Sequence, residues 1–490
     1  MTTQTQPTRA AAAPPVRTRD RLAGAVLSLI SVGALAEHYS GLAFFGYLAI
    51  AAFLAFCLVG QSYFRLRERL LLTVGLALSA VAFAGGPEGG EAVYRALDRA
   101  AFLAAFMLLM GLLRDAAVTS PAVVESGRFL TRQPPGRRYL AIAGGSHVLT
   151  TLLNMGALNL LAPLIQAGVK ASREAGEEEA IAAVKERRQF CANLRGFSTV
   201  IVWAPTTVTQ ALLISLFPAA DPLTVILNGL GFAAIAFVAG WLEDRLRWLP
   251  LRRRMAREGR VALEPASRMP RRALRDFGLV CLALVALALA ARFLFAVETV
   301  PALMLAAPIL TVAWIFHQGQ AQGNRVALGF AVRRVGRILG RSVPAASPEA
   351  FTLATAGFIG MMLAALVPSQ AVTSLASPEV VHPLVLLAVL PLLVLIAVQF
   401  ALTPIVMAVF LGTALSTLES LPAAPELFIL ALSGGWTLSL LASPFAASAL
   451  ILHRITGLSA ARLTWVWNGL YALVAYLLLL AWVALLYLLL

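Results

Sequence analysis

Residues 139–168 read YLAIAGGSHVLTTLLNMGALNLLAPLIQAG. The stretch is mostly apolar with a polar centre, LLNMGALN, and bases flank it on both sides. Arg128, Arg132, Arg137 and Arg138 precede it; Lys170, Arg173, Lys185, Arg187 and Arg188 follow. A single membrane helix takes ~20 residues and leaves its ends on opposite faces. Lys and Arg clusters gather on the cytoplasmic face. A segment with two basic ends therefore has to enter the bilayer and return on the same side. The reading is a re-entrant hairpin whose tip, Asn154 to Asn159, lies at membrane depth. Irregular polar backbone survives there only when buried in protein or lining a cavity, so the tip is a candidate binding site.

The bulk numbers place this hairpin in a polytopic membrane protein. Of 490 residues, 60% are hydrophobic and 13% charged, with a mean hydropathy of +0.82; soluble domains carry about 25% charged residues. The net charge of +15 is concentrated in a few loops, which orients a chain in a bilayer and excludes a nucleic-acid partner. Cys57, Cys191 and Cys281 are widely spaced and suggest neither a disulfide framework nor a zinc site. Residues 1–20 are polar and Pro-rich, a disordered cytoplasmic tail without a cleavable signal.

Four apolar spans precede the hairpin: Leu22–Ala36, Gly41–Gly60, Leu70–Ala84 and Ala100–Leu113, with a mildly acidic outer loop, GGPEGGEAVYRALDR, before the fourth. Val169–Arg195 reads as a charged amphipathic helix on the cytoplasmic surface. The fifth span, Gly196–Phe217, is interrupted by Trp203-Ala204-Pro205-Thr206-Thr207, and the sixth is Leu223–Leu242. Arg245–Arg275 then carries eleven arginines against two glutamates and marks the inside. Phe277–Val297, Val300–His317 and Phe351–Val367 follow as spans seven to nine. His382–Ser416 is a second long apolar stretch with a polar middle, Gln399-Phe400-Ala401-Leu402-Thr403-Pro404, and its flanks are acidic and free of bases. It reads as a hairpin entered from outside. The tenth span, Leu427–Leu452, contains Ala442-Ser443-Pro444, and Thr464–Leu490 is the last.

The expected fold is thus all-α: eleven transmembrane helices and two re-entrant hairpins, N-terminus cytoplasmic and C-terminus periplasmic. Residues 21–244 form a first repeat with leading helices and the inner hairpin 139–168. Residues 245–276 form a basic cytoplasmic linker, and 277–490 a second repeat with the outer hairpin 382–416. Each series runs span, AVTS (117–120 and 371–374), hairpin, broken span. One starts inside and the other outside, the inverted-topology repeat of secondary transporters.

This layout resembles the ion transporter superfamily, with its divalent anion/sodium symporters, citrate and arsenite transporters and sodium/proton antiporters. The symporters carry Ser-Asn-Thr at both hairpin tips. Here the inner tip reads Leu153-Asn154-Met155 and the outer Val398-Gln399-Phe400, keeping only the asparagine, which points to a remote branch. The resemblance implies solute held between hairpin tips and helix breaks, sodium or protons as coupling ion, no other cofactor, and a homodimer.

A broken helix frees backbone groups and aims a half-helix N-terminus into the site. Pro205 and Pro444 stand where the second half-helices are expected to start. Thr206, Thr207, Thr209 and Gln210 line the first break; Ser443 and Ser448 line the second. Hydroxyls and freed amides there suit an anion or a polar neutral group, although Pro kinks with Ser/Thr also occur for purely structural reasons. Asn154, Gly156 and Asn159 mark the inner tip and Gln399 and Thr403 the outer. A mid-membrane amide has to be paired, with a ligand or as a cap of the hairpin arms. His147 reads as a proton relay or a packing residue; Trp203 and Trp436 as walls of the site or packing aromatics. Arg195, at the cytoplasmic end of the fifth span, reads as a residue that attracts an anion or, in preference, as an interfacial arginine that snorkels. Glu37 and Asp115 are the acids nearest to spans, and with no carboxylate at mid-span a sodium/proton antiporter is disfavoured.

The leading reading is a secondary active transporter of the bacterial inner membrane that moves a small solute, an organic anion among the candidates, by symport and alternating access. A membrane-embedded enzyme acting on a lipid-linked substrate is one alternative, but His38, His147, His317, His382 and His453 are scattered. An uncoupled channel is the other.

Overall fold

A computed structural model describes residues 18–86, 88–118, 120–258, 269–320, 323–377 and 379–489. The expected tail up to residue 17 and the middle of the basic linker, 259–268, lie outside them. All regular structure among the described residues is helical. The chain begins with α1 (Thr18–Ser40), α2 (Ala43–Val59), α3 (Leu66–Ala84) and α4 (Glu88–Val118). Residues 18–20, expected in the tail, already belong to α1. The expected outer loop before the fourth span is mostly helix: α4 has 31 residues, about 46 Å at 1.5 Å each. Glu91 and Arg95 pair one turn apart in its polar first turns at 2.8 Å.

Next come α5 (Pro121–Thr131), α6 (Pro135–Leu153) and α7 (Gly156–Glu174), then α8 (Glu179–Ser198), α9 (Val208–Leu216), α10 (Pro222–Arg247) and α11 (Leu249–Arg257). The surface helix expected over Val169–Arg195 is not a separate element. Its first part ends α7 and its remainder opens α8, which runs without interruption to Ser198. Its charges neutralise one another across the connection: Arg173 meets Glu179 and Glu186 at 2.9 and 3.3 Å, and Lys185 meets Glu177 at 3.7 Å. The Arg173 guanidinium holds the Glu179 carboxyl below the usual carboxylate range.

The second half contains α12 (Arg271–Phe295), α13 (Thr299–Gly319), α14 (Asn324–Arg337), the single turn α15 (Val343–Ala345), α16 (Ser347–Leu366) and α17 (Ser369–Ala376). It closes with α18 (Pro383–Gln399), α19 (Pro404–Ser416), α20 (Pro425–Ala442), α21 (Ala447–Thr456) and α22 (Trp467–Leu489). Nine segments among the described residues are long and apolar enough to cross a membrane. The remaining two of the expected eleven fail for local reasons. Arg67, Glu68 and Arg69 sit in the first turn of α3, and the fifth span is divided between a charged α8 and a nine-residue α9.

Two bundles result, and both draw on both halves of the sequence. In one, α1–α4 pack with α13 and α16, and α12 rests on α13. In the other, α6 packs on α8 and α18 on α20, while α10 and α22 cover them. The second hairpin arms are exchanged: α7 packs on α21 and α19 on α9. The spacing repeats as well. Gly196 and Gly435 each lie nine residues before a proline, Pro205 or Pro444, and each proline lies three residues before its helix, α9 or α21. At both glycines the neighbouring hairpin arm touches backbone: a Cβ on Gly196 would lie 2.1 Å from the Ala143 carbonyl oxygen, and one on Gly435 2.7 Å from the Pro391 Cα. Thr437 Oγ1 donates to the Ser198 carbonyl at 3.2 Å, across 239 residues, the same offset that relates the glycines and the prolines.

Candidate functional site

Both hairpin tips are sharp. Asn154 ends α6 at φ 48, ψ −127, and Met155 follows at φ −55, ψ −21. This is the backbone of a type II′ turn, whose first central residue is usually Gly. The Asn154 side-chain amide has no hydrogen-bond partner among the described residues. At the outer tip Ala401 takes φ 62, and two bonds, Ala401 N–H to Val398 O and Leu402 N–H to Ala397 O, both at 3.2 Å, close the C-terminus of α18. An alanine holds the position where a helix of this ending normally has Gly.

The half-helices after the breaks do not begin at the prolines. Residues 199–207 form consecutive tight turns, with Trp203 and Ala204 N–H both donating to Val200 O, before α9 starts at Val208. Thr207 caps α9: its hydroxyl accepts from Gln210 N–H at 3.4 Å and donates to Ala204 O at 2.8 Å. That leaves Thr206 beside it, with a buried hydroxyl that has no partner. Gln210 donates to Ile201 O at 3.1 Å while its side-chain oxygen is unpartnered.

A narrow cleft forms where these parts meet α4. Its walls are Phe106, Met107, Met110, Gly111 and Arg114 of α4, Thr151, Leu152 and Asn154 of the hairpin, Thr206 of the break and Val208 of α9. Gly156 is buried beneath it; a Cβ there would meet the Arg114 side chain at 3.5 Å. The cleft measures about 20 Å³, room for roughly one water. Of the sequence-predicted residues, Asn154, Gly156 and Thr206 converge here, with Pro205 adjoining. Asn159 does not: it is exposed on α7 and donates to Met155 O at 3.2 Å. Arg114, just past the end of the expected fourth span Ala100–Leu113, joins them although nothing in the sequence around it marks it as a site residue.

The second break is tied to its tip. Ser443 Oγ donates to Val398 O at 2.9 Å and accepts from Phe445 N–H at 3.2 Å. Gln399 donates to Ala442 O at 3.2 Å and accepts from Trp465 Nε1–H at 3.2 Å. Ser448 bridges the break by donating to Leu440 O at 3.0 Å. Thr403, beside Pro404, keeps a buried unpartnered hydroxyl. Pro444, like Pro205, lies in the connection and starts no helix.

His147 is fully engaged. Trp203 Nε1–H donates to its Nε2 at 3.0 Å, so Nδ1 carries the proton and faces Thr199 Oγ1 at 3.1 Å. The pair fixes α6 to the first break. Arg195 corrects the surface reading: it is 3% exposed. Its Nε donates to Asn468 Oδ1 at 2.9 Å, its Nη1 to Glu243 Oε2 at 2.8 Å, and its guanidinium lies 4.1 Å from the Tyr471 ring centre. Next to it, Arg188 grips Asp244 through two bonds of 2.8 and 2.9 Å. These carboxylates lie near the C-terminal end of α10, just past the expected sixth span. The signal was Trp467-Asn468-Gly469-Leu470-Tyr471, a polar pair one turn apart opening an otherwise apolar helix.

No protein-family model matches the chain, and no curated protein matches it by sequence. Among solved structures, the crystal structure of the Alcanivorax borkumensis YdaH transporter, described as having an unusual topology, matches with a TM-score of 0.52 at 16% identity. The match covers 85% of this chain and 98% of that one. At that identity the likeness speaks for the fold alone: this chain is a polytopic, all-helical membrane protein with the fold of a transporter.

Proposed function

We propose that the protein is a secondary active transporter that carries a small solute, an organic anion, across the bacterial inner membrane by alternating access. The observation that carries this reading is the position of the cleft. It lies on the seam between the two bundles, with α4 on one side and the hairpin tip and first break on the other. Relative movement of the bundles would open it to either face. The repeated order of hairpin and broken helix, with exchanged arms, supports an inverted-topology repeat whose hairpins are re-entrant. The basic loops support a cytoplasmic N-terminus and a periplasmic C-terminus. The superfamily likeness extends this to a remote branch of divalent-anion-symporter-like proteins, working as a homodimer with sodium or protons as coupling ion.

Purified full-length protein in liposomes tests the reading. Uptake of an organic acid that follows an imposed sodium or proton gradient is the expected result. Uptake that ignores every gradient indicates an uncoupled channel, and chemical conversion of an added lipid-linked substrate indicates an enzyme.

A further inference from the structure

We infer that Arg114 is the residue that recognises the solute, and that the solute is a monoanion with an apolar body. This rests on the transporter reading and deepens it. The cleft holds one cation, the Arg114 guanidinium, whose side chain is 20% exposed. Two carboxylates face it. Glu349 Oε2 on α16 lies 3.2 Å from Nη1, and Asp115 Oδ1 lies 3.8 Å from Nε. A guanidinium has five N–H donors, and this pairing leaves its Nη2 edge folded back over Gly111, which lines the cleft. The same cleft is lined by Thr206, whose hydroxyl is buried without a partner, and by Asn154, whose side-chain amide has no hydrogen-bond partner among the described residues. The cleft as it stands has room for about one water, so the carboxylate enters when the two bundles part; between these groups it would receive one charged and two neutral hydrogen bonds.

The remaining walls select the rest of the molecule. Phe106, Met107, Met110, Leu152 and Val208 are apolar. A second carboxylate would find no second cation among the described residues that line the cleft, and Glu349 and Asp115 would repel it. Burying a charge without a partner is strongly unfavourable. The cleft therefore discriminates by charge count: one negative group with a hydrophobic remainder is accepted, and a dianion is rejected. Glu349, exposed on its outer side, competes with the solute for the same guanidinium and is released as the solute arrives. Arg114 lies on one bundle while Asn154 and Thr206 lie on the other, so the anion would join the two when bound.

The test uses the full chain in detergent, with isovalerate, its neutral analogue isovaleramide, and succinate as probes. Isovalerate is expected to raise the unfolding midpoint, and isovaleramide and succinate to leave it unchanged. Arg114→Gln should weaken isovalerate by at least about tenfold, the loss of one charge-assisted hydrogen bond. Should that variant not fold, Arg114→Lys retains the charge and still has to prefer isovalerate over its amide. Glu349→Gln, at an exposed carboxylate, should bind isovalerate more tightly than the parent. Equal binding of acid and amide, no binding of isovalerate, tighter binding of succinate, or an unchanged affinity in Arg114→Gln overturns the proposal. Gradient-driven uptake of a neutral solute would leave the carrier standing and remove Arg114 from it. Arg114-dependent binding with gradient-independent flux would keep the site and remove the carrier.

Discussion

The two hairpin–break pairs have the same parts in the same order, yet one is tied and the other is open. At the outer pair, Ser443 and Gln399 bond the break to its tip directly, and only four residues separate α20 from α21. At the inner pair no bond joins Asn154 to the break. The contacts lie deeper, through Ser146 to Asn193 O at 2.9 Å and through His147, and nine residues separate α8 from α9. Most of the unpartnered polar groups of the two pairs gather on this side: Thr206, Gln210 and both amide atoms of Asn193, against the Thr403 hydroxyl at the outer pair. A duplicated design has thus put structural satisfaction in one copy and unspent hydrogen-bonding capacity in the other. The open copy is also the one that lines the cleft.

The comparison can be broken first at the helix contacts. Gly196→Ala pushes a methyl into the Ala143 carbonyl, and Gly435→Ala pushes one toward the Pro391 Cα. Both should lose stability, the first by about 3 kcal/mol and the second by less, since overpacking in a filled interior costs about 1–3 kcal/mol. Unfolding in detergent micelles measures both, and an equal loss would mean the two contacts are interchangeable. Ser443→Ala removes the outer latch and should cost about 1–2 kcal/mol, because Phe445 N–H is left unpaired and Val398 O keeps only its bond from Ala401 N–H. Thr206→Val should cost no stability and still reduce transport, since its hydroxyl has no partner to lose. If the two substitutions behave alike in unfolding and in uptake, the contrast between tied and open copies fails.

Smaller effects sharpen it. Thr207→Ala should cost about 1 kcal/mol, the usual value of an N-cap, with transport following folded protein. At the tips, Ala401→Gly should stabilise by about 1 kcal/mol by relieving a left-handed alanine. Asn154→Gly relieves the same kind of strain but deletes the amide, so stability should hold while uptake falls. Preserved uptake in Asn154→Gly would reduce Asn154 to a turn residue. The smallest effect is on the acid side. Asp221 caps α10 by accepting from Thr224 N–H and Oγ1–H at 2.8 and 2.7 Å, and those bonds hold its carboxyl below the usual range. A depressed folded value contributes stability above the ordinary carboxylate range, and this is lost as pH falls below about 4. Asp221→Asn should flatten that part of the unfolding-versus-pH curve.

Much of this was legible in the sequence because it depends on local chemistry. The polar centres at Asn154 and Gln399, and the prolines at 205 and 444, interrupt apolar runs where the chain turns or breaks. Helix boundaries were less legible. Charged residues such as Glu91 and Arg95, or Glu179 and Lys185, look like loop or surface sequence until their partners a turn away, or on the next helix, are known. Burial was the least legible. Arg114 and Arg195 are both arginines at the ends of apolar runs, and nothing local distinguishes an anchor at the interface from a cation enclosed by protein. The partners that decide it, Glu349 for one and Glu243 and Asn468 for the other, lie far along the chain.

The enclosure of Arg195 has a consequence for how the protein is made. Its guanidinium receives Glu243 when the sixth apolar segment is synthesised, but Asn468 and the Tyr471 ring come only with α22, 273 residues after Arg195. Until then a permanently charged group destined for burial is only half compensated, a costly arrangement. Insertion must therefore hold the growing chain in an assembly intermediate that the arrival of α22 closes, and a nascent chain arrested before residue 468 should stay bound to insertase or protease.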